Sequence, residues 1–336
     1  SSCHFLKIAR QSHMYSRFAQ PVGCLLGLPP TLIVLGHARH RHNERVPSCE
    51  QLEKNAEGNF IEANFKGMHK KGLVKVGEWH DVTLFPPITA SAAFKTFRYF
   101  WNVKTFQVRV WNAREQEEKD GLSKADFFAR HGFVLFNSKT GMTAQDWRES
   151  SPKPLSIANL TGRGMTREET PLSRIYAKEV EAIIRELLPG AKSLELDPLV
   201  VVRGPGSTTP EYNFAPHQDY GFTAEDWPLA GTEFHERFAS SDVKGLIVVN
   251  CWRPVLPMRG PVKKTPLAVC DPNSVKIDDC VPINVKRDNL GFSKMMDLAY
   301  DEDQRWYYYP DMTVDEVLVF KSFQYFKSQS GVELNT

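Results

Sequence analysis

The stretch NFAPHQDYGF, residues 213–222, sets a histidine and an aspartate one residue apart, His217 and Asp219. On a strand, residues i and i+2 point to the same face, so an imidazole and a carboxylate would be presented together to one cavity. Two histidines and one carboxylate make a site for ferrous iron that keeps positions open for substrate and dioxygen. His217 and Asp219 would supply two of those three ligands. In a surface turn the same residues would be only a polar pair, and the spacing leaves both readings open. Pro216, Phe214, Tyr220 and Phe222 around the pair favour a pocket.

No other ligand set stands out. Cys3, Cys24, Cys49, Cys251, Cys270 and Cys280 are scattered without a CxxC spacing. That argues against a zinc knuckle and a small disulfide scaffold, and points to reduced, buried thiols.

The elements that must position the pair are read from periodicity. TFQVRVWNA (105–113) alternates as a strand does. LSKADFFARHGFVLF (122–136) reads as a short helix, a turn at His131-Gly132 and a strand. Between Thr170 and Leu188, apolar residues at Ile175, Val180, Ile183, Ile184, Leu187 and Leu188 recur at helical spacing until Pro189-Gly190 stops them. After this helix come strand-like runs punctuated by Pro and Gly, namely SLELDPLVVVRG, GLIVVNCWRPV, PLAVC, RWYYYP and EVLVFKSF. A helix-bearing part followed by many short strands predicts a mainly β fold with flanking helices, a jelly roll or barrel.

The whole chain bounds these expectations. Its 336 residues suffice for a sizeable core, and 41% hydrophobic with 24% charged residues is an ordinary globular composition. Forty-two Lys and Arg against 40 Asp and Glu give a net charge of +2, which offers no electrostatic ground for nucleic acid or an anionic membrane as partner. Residues 1–45 read as a basic leader, 46–78 as a linker and 79–336 as the folded domain. The leader has no acidic residue before Glu44, and its apolar run PVGCLLGLPPTLIVLGHA is broken by Gly and two adjacent prolines. A membrane span needs about 20 continuous apolar residues, so no stable insertion is expected. An acid-poor, Arg-containing N-terminus is also what a transit peptide looks like. Localisation is therefore cytoplasmic by default and organellar if residues 1–43 act as one.

The ordered set HGFVLF, PHQDY, VNCWRPV, GPVKKTPLAVCDPNSV and RWYYYPDMTVDEVLVFKSF resembles a family of iron(II)- and 2-oxoglutarate-dependent oxygenase-like proteins. That family includes gibberellin desaturase-like proteins, hydroxylase/desaturases of secondary metabolism and the cephamycin methoxylation component. The resemblance spans about residues 80 to 326. It implies a double-stranded β-helix (jelly roll), Fe(II) and 2-oxoglutarate as cofactors, and His217 and Asp219 as metal ligands. Asn250, Trp252 and Arg253 match the family's Asn-x-Trp-Arg-Pro segment. A guanidinium pairs bidentately with carboxylates, so Arg253 is a candidate anchor for 2-oxoglutarate or an acidic substrate, with a structural acid such as Asp271 as its alternative partner. Lys321, after an apolar strand, is a second candidate cation for the cavity. Tyr220, Trp252 and Tyr308 are candidate walls of the substrate pocket, although alternation sends most of Tyr307, Tyr308 and Tyr309 to the core.

Members of that family continue past the FKSF segment to a His-Thr-Ala-Phe motif with the second histidine ligand, then to a basic residue suited to 2-oxoglutarate. The sequence given runs to Thr336 with neither, its C-terminal end reads as incomplete, and its last histidine is His235. Three readings follow. A longer chain would be an ordinary hydroxylase or desaturase, oxidising an unactivated C–H bond of a small, hydrophobic metabolite while 2-oxoglutarate becomes succinate and carbon dioxide. An upstream histidine, His131 or His235, would substitute. Or the chain is an inactive member that keeps the pocket as a binding protein. A zinc hydrolase would also need three protein ligands and has no family support. Substrate and oligomeric state are not legible.

Overall fold

The computed structural model describes residues 59–68, 80–83, 103–150, 170–192, 194, 202, 216–218, 245–286, 292–328 and 331–333. These residues form strands in three four-stranded sheets with helices against one of them, the mainly β build expected. Among the described residues the sheets do not close into a barrel.

The first sheet runs β1 (Phe60–Met68), β3 (Val103–Asn112), β10 (Trp306–Tyr308), β7 (Ala268–Cys270). β1 and β3 are antiparallel, from Phe60 opposite Trp111 to Met68 opposite Val103. Ile61, Ala63 and Phe65 pack with Val108, Val110 and Trp306, while Glu62, Asn64 and Lys66 are exposed. β1 lies inside the stretch expected to be a linker. Its period-2 pattern, FIEANFKGM, lets it bury one face and pair its backbone.

At the end of β3, Asn112 accepts a hydrogen bond from the Arg114 amide and starts α1 (Ala113–Asp120). Ser123 does the same for α2 (Lys124–His131) through the Asp126 amide. Gly132, at φ 75°, closes α2 in the left-handed region and turns the chain into β4 (Phe133–Asn137), as the His131-Gly132 turn predicted. A short helix α3 (Ala144–Ser150) follows.

The helix expected over 170–188 is present with one difference. Leu172–Tyr176 form a π turn before the regular helix α4 (Ala177–Leu187). The wider turn places Leu172 and Tyr176 inward. Val180, Ile183, Ile184 and Leu187 are buried, each contributing about 1.5–3 kcal/mol of apolar burial.

These helices cover the second sheet, ordered β12 (Gly331–Glu333), β11 (Glu316–Ser328), β4, with β6 (Gly245–Trp252) also paired to β11. β11 is antiparallel to β4 from Glu316 opposite Asn137 to Phe320 opposite Phe133. It is antiparallel to β6 from Leu318 opposite Trp252 to Phe326 opposite Gly245, with a bulge between Lys321 and Phe323. Phe127, Phe128, Phe133, Val134, Ile184 and Val319 sit at the centre of this main core. The third sheet runs β2 (His80–Thr83), β8 (Cys280–Lys286), β9 (Phe292–Leu298), β5 (His217–Gln218).

Candidate metal site and buried polar clusters

His217 is placed by strand pairing. β5 adds to the edge of β9, with His217 opposite Asp297 and Gln218 opposite Met296. The Leu298 amide donates to the Pro216 carbonyl at 3.3 Å just beside this pair. Gln218 is exposed, His217 half-buried and Asp297 buried at 5% exposure. Directly opposed residues of antiparallel strands share a face, so His217 is presented on the side where Asp297 is buried. Asp219 and Tyr220 lie outside the described residues, as does His235. Among the described residues, no group of three or more His, Cys, Asp or Glu side chains is gathered to hold a metal.

The other expected site residues lie on the second sheet and around β10. In the β6–β11 pair, Asn250 stands opposite Phe320 and Trp252 opposite Leu318, whereas Val249 stands opposite Lys321 and Cys251 opposite Val319. Alternation therefore puts Asn250 and Trp252 on one face, with Lys321 and Cys251 on the other. Lys321 is on the helix-covered side, its Nζ 5.5 Å from the centre of the Phe128 ring on α2. Burial pulls its ammonium below the usual lysine range.

Arg253, one residue past β6, also reaches the helix side. Its guanidinium carbon lies 5.8 Å from the centre of the Tyr176 ring. Nη2 donates to the Ser138 carbonyl at 2.7 Å and to the Val314 carbonyl. The Arg253 side chain is 2% exposed, and Nη1 is 3.9 Å from Glu179 Oε2. Among the described residues, Nε and Nη1 have no hydrogen-bond partner. Glu179 is held from its other oxygen, which accepts the Gly141 amide at 2.7 Å. Burial, then the Cys251 thiol, pushes the Tyr176 phenol well above its ordinary value. Arg253 thus clamps the end of β4 to the start of β11 beneath the π turn. Asp271, the alternative partner weighed from sequence, pairs elsewhere.

The three tyrosines divide as alternation requires. Tyr307 and Tyr309 are buried in the main core, and Tyr308 packs half-buried against the cluster of the first sheet. Trp252 packs against the main core instead. Tyr309 donates to Glu117 Oε1 at 2.5 Å, an oxygen that also accepts the Leu135 amide at 3.2 Å. Cys270 and Cys280 are free thiols, pushed by burial to about 12 and about 11.

One polar cluster was not anticipated. His131, 7% exposed, sits between two carboxylates: Nε2 is 2.8 Å from Asp120 Oδ2 and Nδ1 3.0 Å from Asp271 Oδ2. With both ring nitrogens engaged, His131 has none left for a metal, so it is no substitute for the missing ligand. Sequence separations of 11 and 140 residues carry no local periodicity. The only signal was that HGFVLF and PLAVCDPNSV occur in the same motif set.

Known proteins extend this picture. A family model described as an oxidoreductase/YMDC permease-like domain matches residues 86–334. The chain is 33% identical over 85 residues to aspirochlorine biosynthesis protein N of Aspergillus oryzae, covering 25% of this chain and 34% of that protein. It is 34% identical over 86 residues to the hydroxylase/desaturase efuI of Hormonema carpetanum, covering 23% of this chain and 28% of that one. The chain therefore spans about a third of these relatives' lengths, 34% and 28%. Among solved structures, a single-substitution variant of the iron and alpha-ketoglutarate-dependent endoperoxidase NvfI aligns at a TM-score of 0.50 and 19% identity, over 79% of this chain and 84% of that one. The likeness is one of fold, the jelly roll with flanking helices expected from the sequence.

Proposed function

The chain belongs to the oxidoreductase/YMDC permease-like family, and from that premise we propose that it is an iron(II)- and 2-oxoglutarate-dependent oxygenase. It hydroxylates or desaturates an unactivated C–H bond of a small, hydrophobic metabolite. The observation that carries this reading is the placement of His217, half-buried on β5 with buried Asp297 opposite. The motif set of the sequence and the hydroxylase/desaturase relative support it.

His217 and Asp219 fit the metal by donor type, an imidazole and a carboxylate being suited to ferrous iron. When bound, iron and 2-oxoglutarate supply the oxidising chemistry, with succinate and carbon dioxide as co-products. The protein's own residues bind and orient. His217 must be neutral at the nitrogen that binds, and its half-buried position limits solvent access. Tyr220 remains a proposed pocket residue, whereas Trp252 packs against the main core. Arg253 and Lys321 lie on the helix-covered face, where we assign Arg253 to the clamp. No helix among the described residues is long and apolar enough to cross a membrane.

The test is anaerobic titration of the chain and of His217→Ala with Fe(II). The reading predicts stoichiometric uptake that the substitution abolishes. Equal uptake by both proteins would place the metal elsewhere and refute it.

A further inference from the structure

The cluster around His131 lies outside the proposed chemistry and has a proton requirement of its own. Carboxylate oxygens only accept hydrogen bonds. The contacts of 2.8 and 3.0 Å are therefore both hydrogen bonds only when each ring nitrogen carries a proton. A neutral imidazole has one N–H, and its other nitrogen would turn a lone pair toward a carboxylate oxygen. The side chains of His131, Asp120 and Asp271 are only 9%, 12% and 3% exposed, so water does little to relieve such a contact.

The remaining hydrogen bonds reserve the carboxylates for the ring. Asp271 Oδ1 accepts the Asn273 amide and Asn273 Nδ2, both at 2.9 Å, leaving Oδ2 for His131. Asp120 Oδ1 accepts Gln116 Nε2 at 2.7 Å, leaving its Oδ2 likewise. The hydrogen bond from His131 is the first cause holding the Asp120 carboxyl below its usual range.

Other charged and titratable groups nearby do not supply the proton. Arg130 reaches Asp120 Oδ2 at 3.6 Å from an exposed position. The Tyr307 ring lies 6.3 Å from the imidazole, and burial, then Asp271, keeps its phenol protonated. Cys270 is kept neutral by burial, and the charge of Arg305 acts on both Tyr307 and Cys270. Lys321 lies over Phe128. Phe127 and Phe133 cover the rest of the ring.

We propose that Asp120, His131 and Asp271 form a proton-operated latch joining the first and second sheets. His131 ends α2 and leads through Gly132 into β4, where the Gly132 carbonyl accepts the Lys321 amide of β11 at 2.7 Å. Asp271 follows β7, and its amide donates to the Arg305 carbonyl beside β10 at 2.9 Å. With both ring protons present the two sheets are tied through a bridging imidazolium. Loss of one proton opposes a lone pair to a buried carboxylate and releases one side.

The variant Asp271→Asn separates this latch from ordinary packing. It keeps Oδ1 for Asn273 and offers an amide N–H to Nδ1, so a neutral imidazole then satisfies both partners. The measurement is nitrogen NMR of the His131 ring in the intact chain at about pH 7.5, a unit above the usual imidazole value. The signals are assigned by their loss in His131→Gln. The latch predicts two protonated nitrogens in the wild type and one in Asp271→Asn; an unprotonated nitrogen in the wild type overturns it.

Discussion

Replacing Arg253 by methionine keeps an unbranched stem under the Tyr176 ring and removes only the polar fork. The structure sets the size of the loss. Two hydrogen bonds from a charged donor end, at the Ser138 and Val314 carbonyls, at about 1.5–3 kcal/mol each. Against this, Nε and Nη1 are buried without hydrogen-bond partners among the described residues, and removing them relieves about 1–3 kcal/mol of desolvation. Taking the like ends of both ranges together, the net expectation is a loss of about 2–3 kcal/mol, or roughly 30- to 140-fold in the unfolding constant at about 1.4 kcal/mol per decade. Urea unfolding at neutral pH, followed by tryptophan fluorescence, reads it as a shift of the midpoint at constant slope. A change within about 0.5 kcal/mol, the usual range for an inconsequential surface substitution, would refute the clamp. Unchanged stability together with lost 2-oxoglutarate affinity would instead make Arg253 the anchor that its sequence context suggested.

Three further outcomes are expected. Gly132→Ala should cost about 1–3 kcal/mol and Gly121→Ala only about 1 kcal/mol. Both have positive φ, but only at Gly132 would the new Cβ meet Pro272, at 3.3 Å, and denaturant midpoints separate the two. Cys270, with its thiol pushed to about 12 by burial, should resist alkylation at about pH 8 in the folded chain and react at the ordinary thiol rate once unfolded, as mass spectrometry of timed samples would show. Lys321→Met should raise stability at neutral pH. The folded chain disfavours the charged amine while the unfolded chain does not, and the gain should shrink as pH rises through the lowered value toward the ordinary one near 10.4. A destabilised Lys321→Met would mean that the contact with Phe128 outweighs the burial.

Local chemistry was legible in the sequence where one element decided it. The 3.6-residue rhythm of Val180, Ile183, Ile184 and Leu187 gave α4, and His131-Gly132 gave the left-handed turn before β4. β1 carried an equally clear alternation in FIEANFKGM, but polar neighbours on both sides hid it, and only pairing with β3 makes it a strand. The direction of Arg253 was not legible at all. Its guanidinium chooses between cavity and helices by the register of β6 on β11, a long-range property. The same holds for Asp271, whose partner is His131, 140 residues away. At the metal site the sequence supplied the donor types, and the structure adds the buried neighbour Asp297 across from His217.

The central claim is tested most directly by supplying the native full-length protein with Fe(II), 2-oxoglutarate and oxygen and measuring succinate. The account predicts iron-dependent succinate formation that His217→Ala abolishes. No succinate above the His217→Ala background, from wild-type protein shown to have taken up iron, would contradict it.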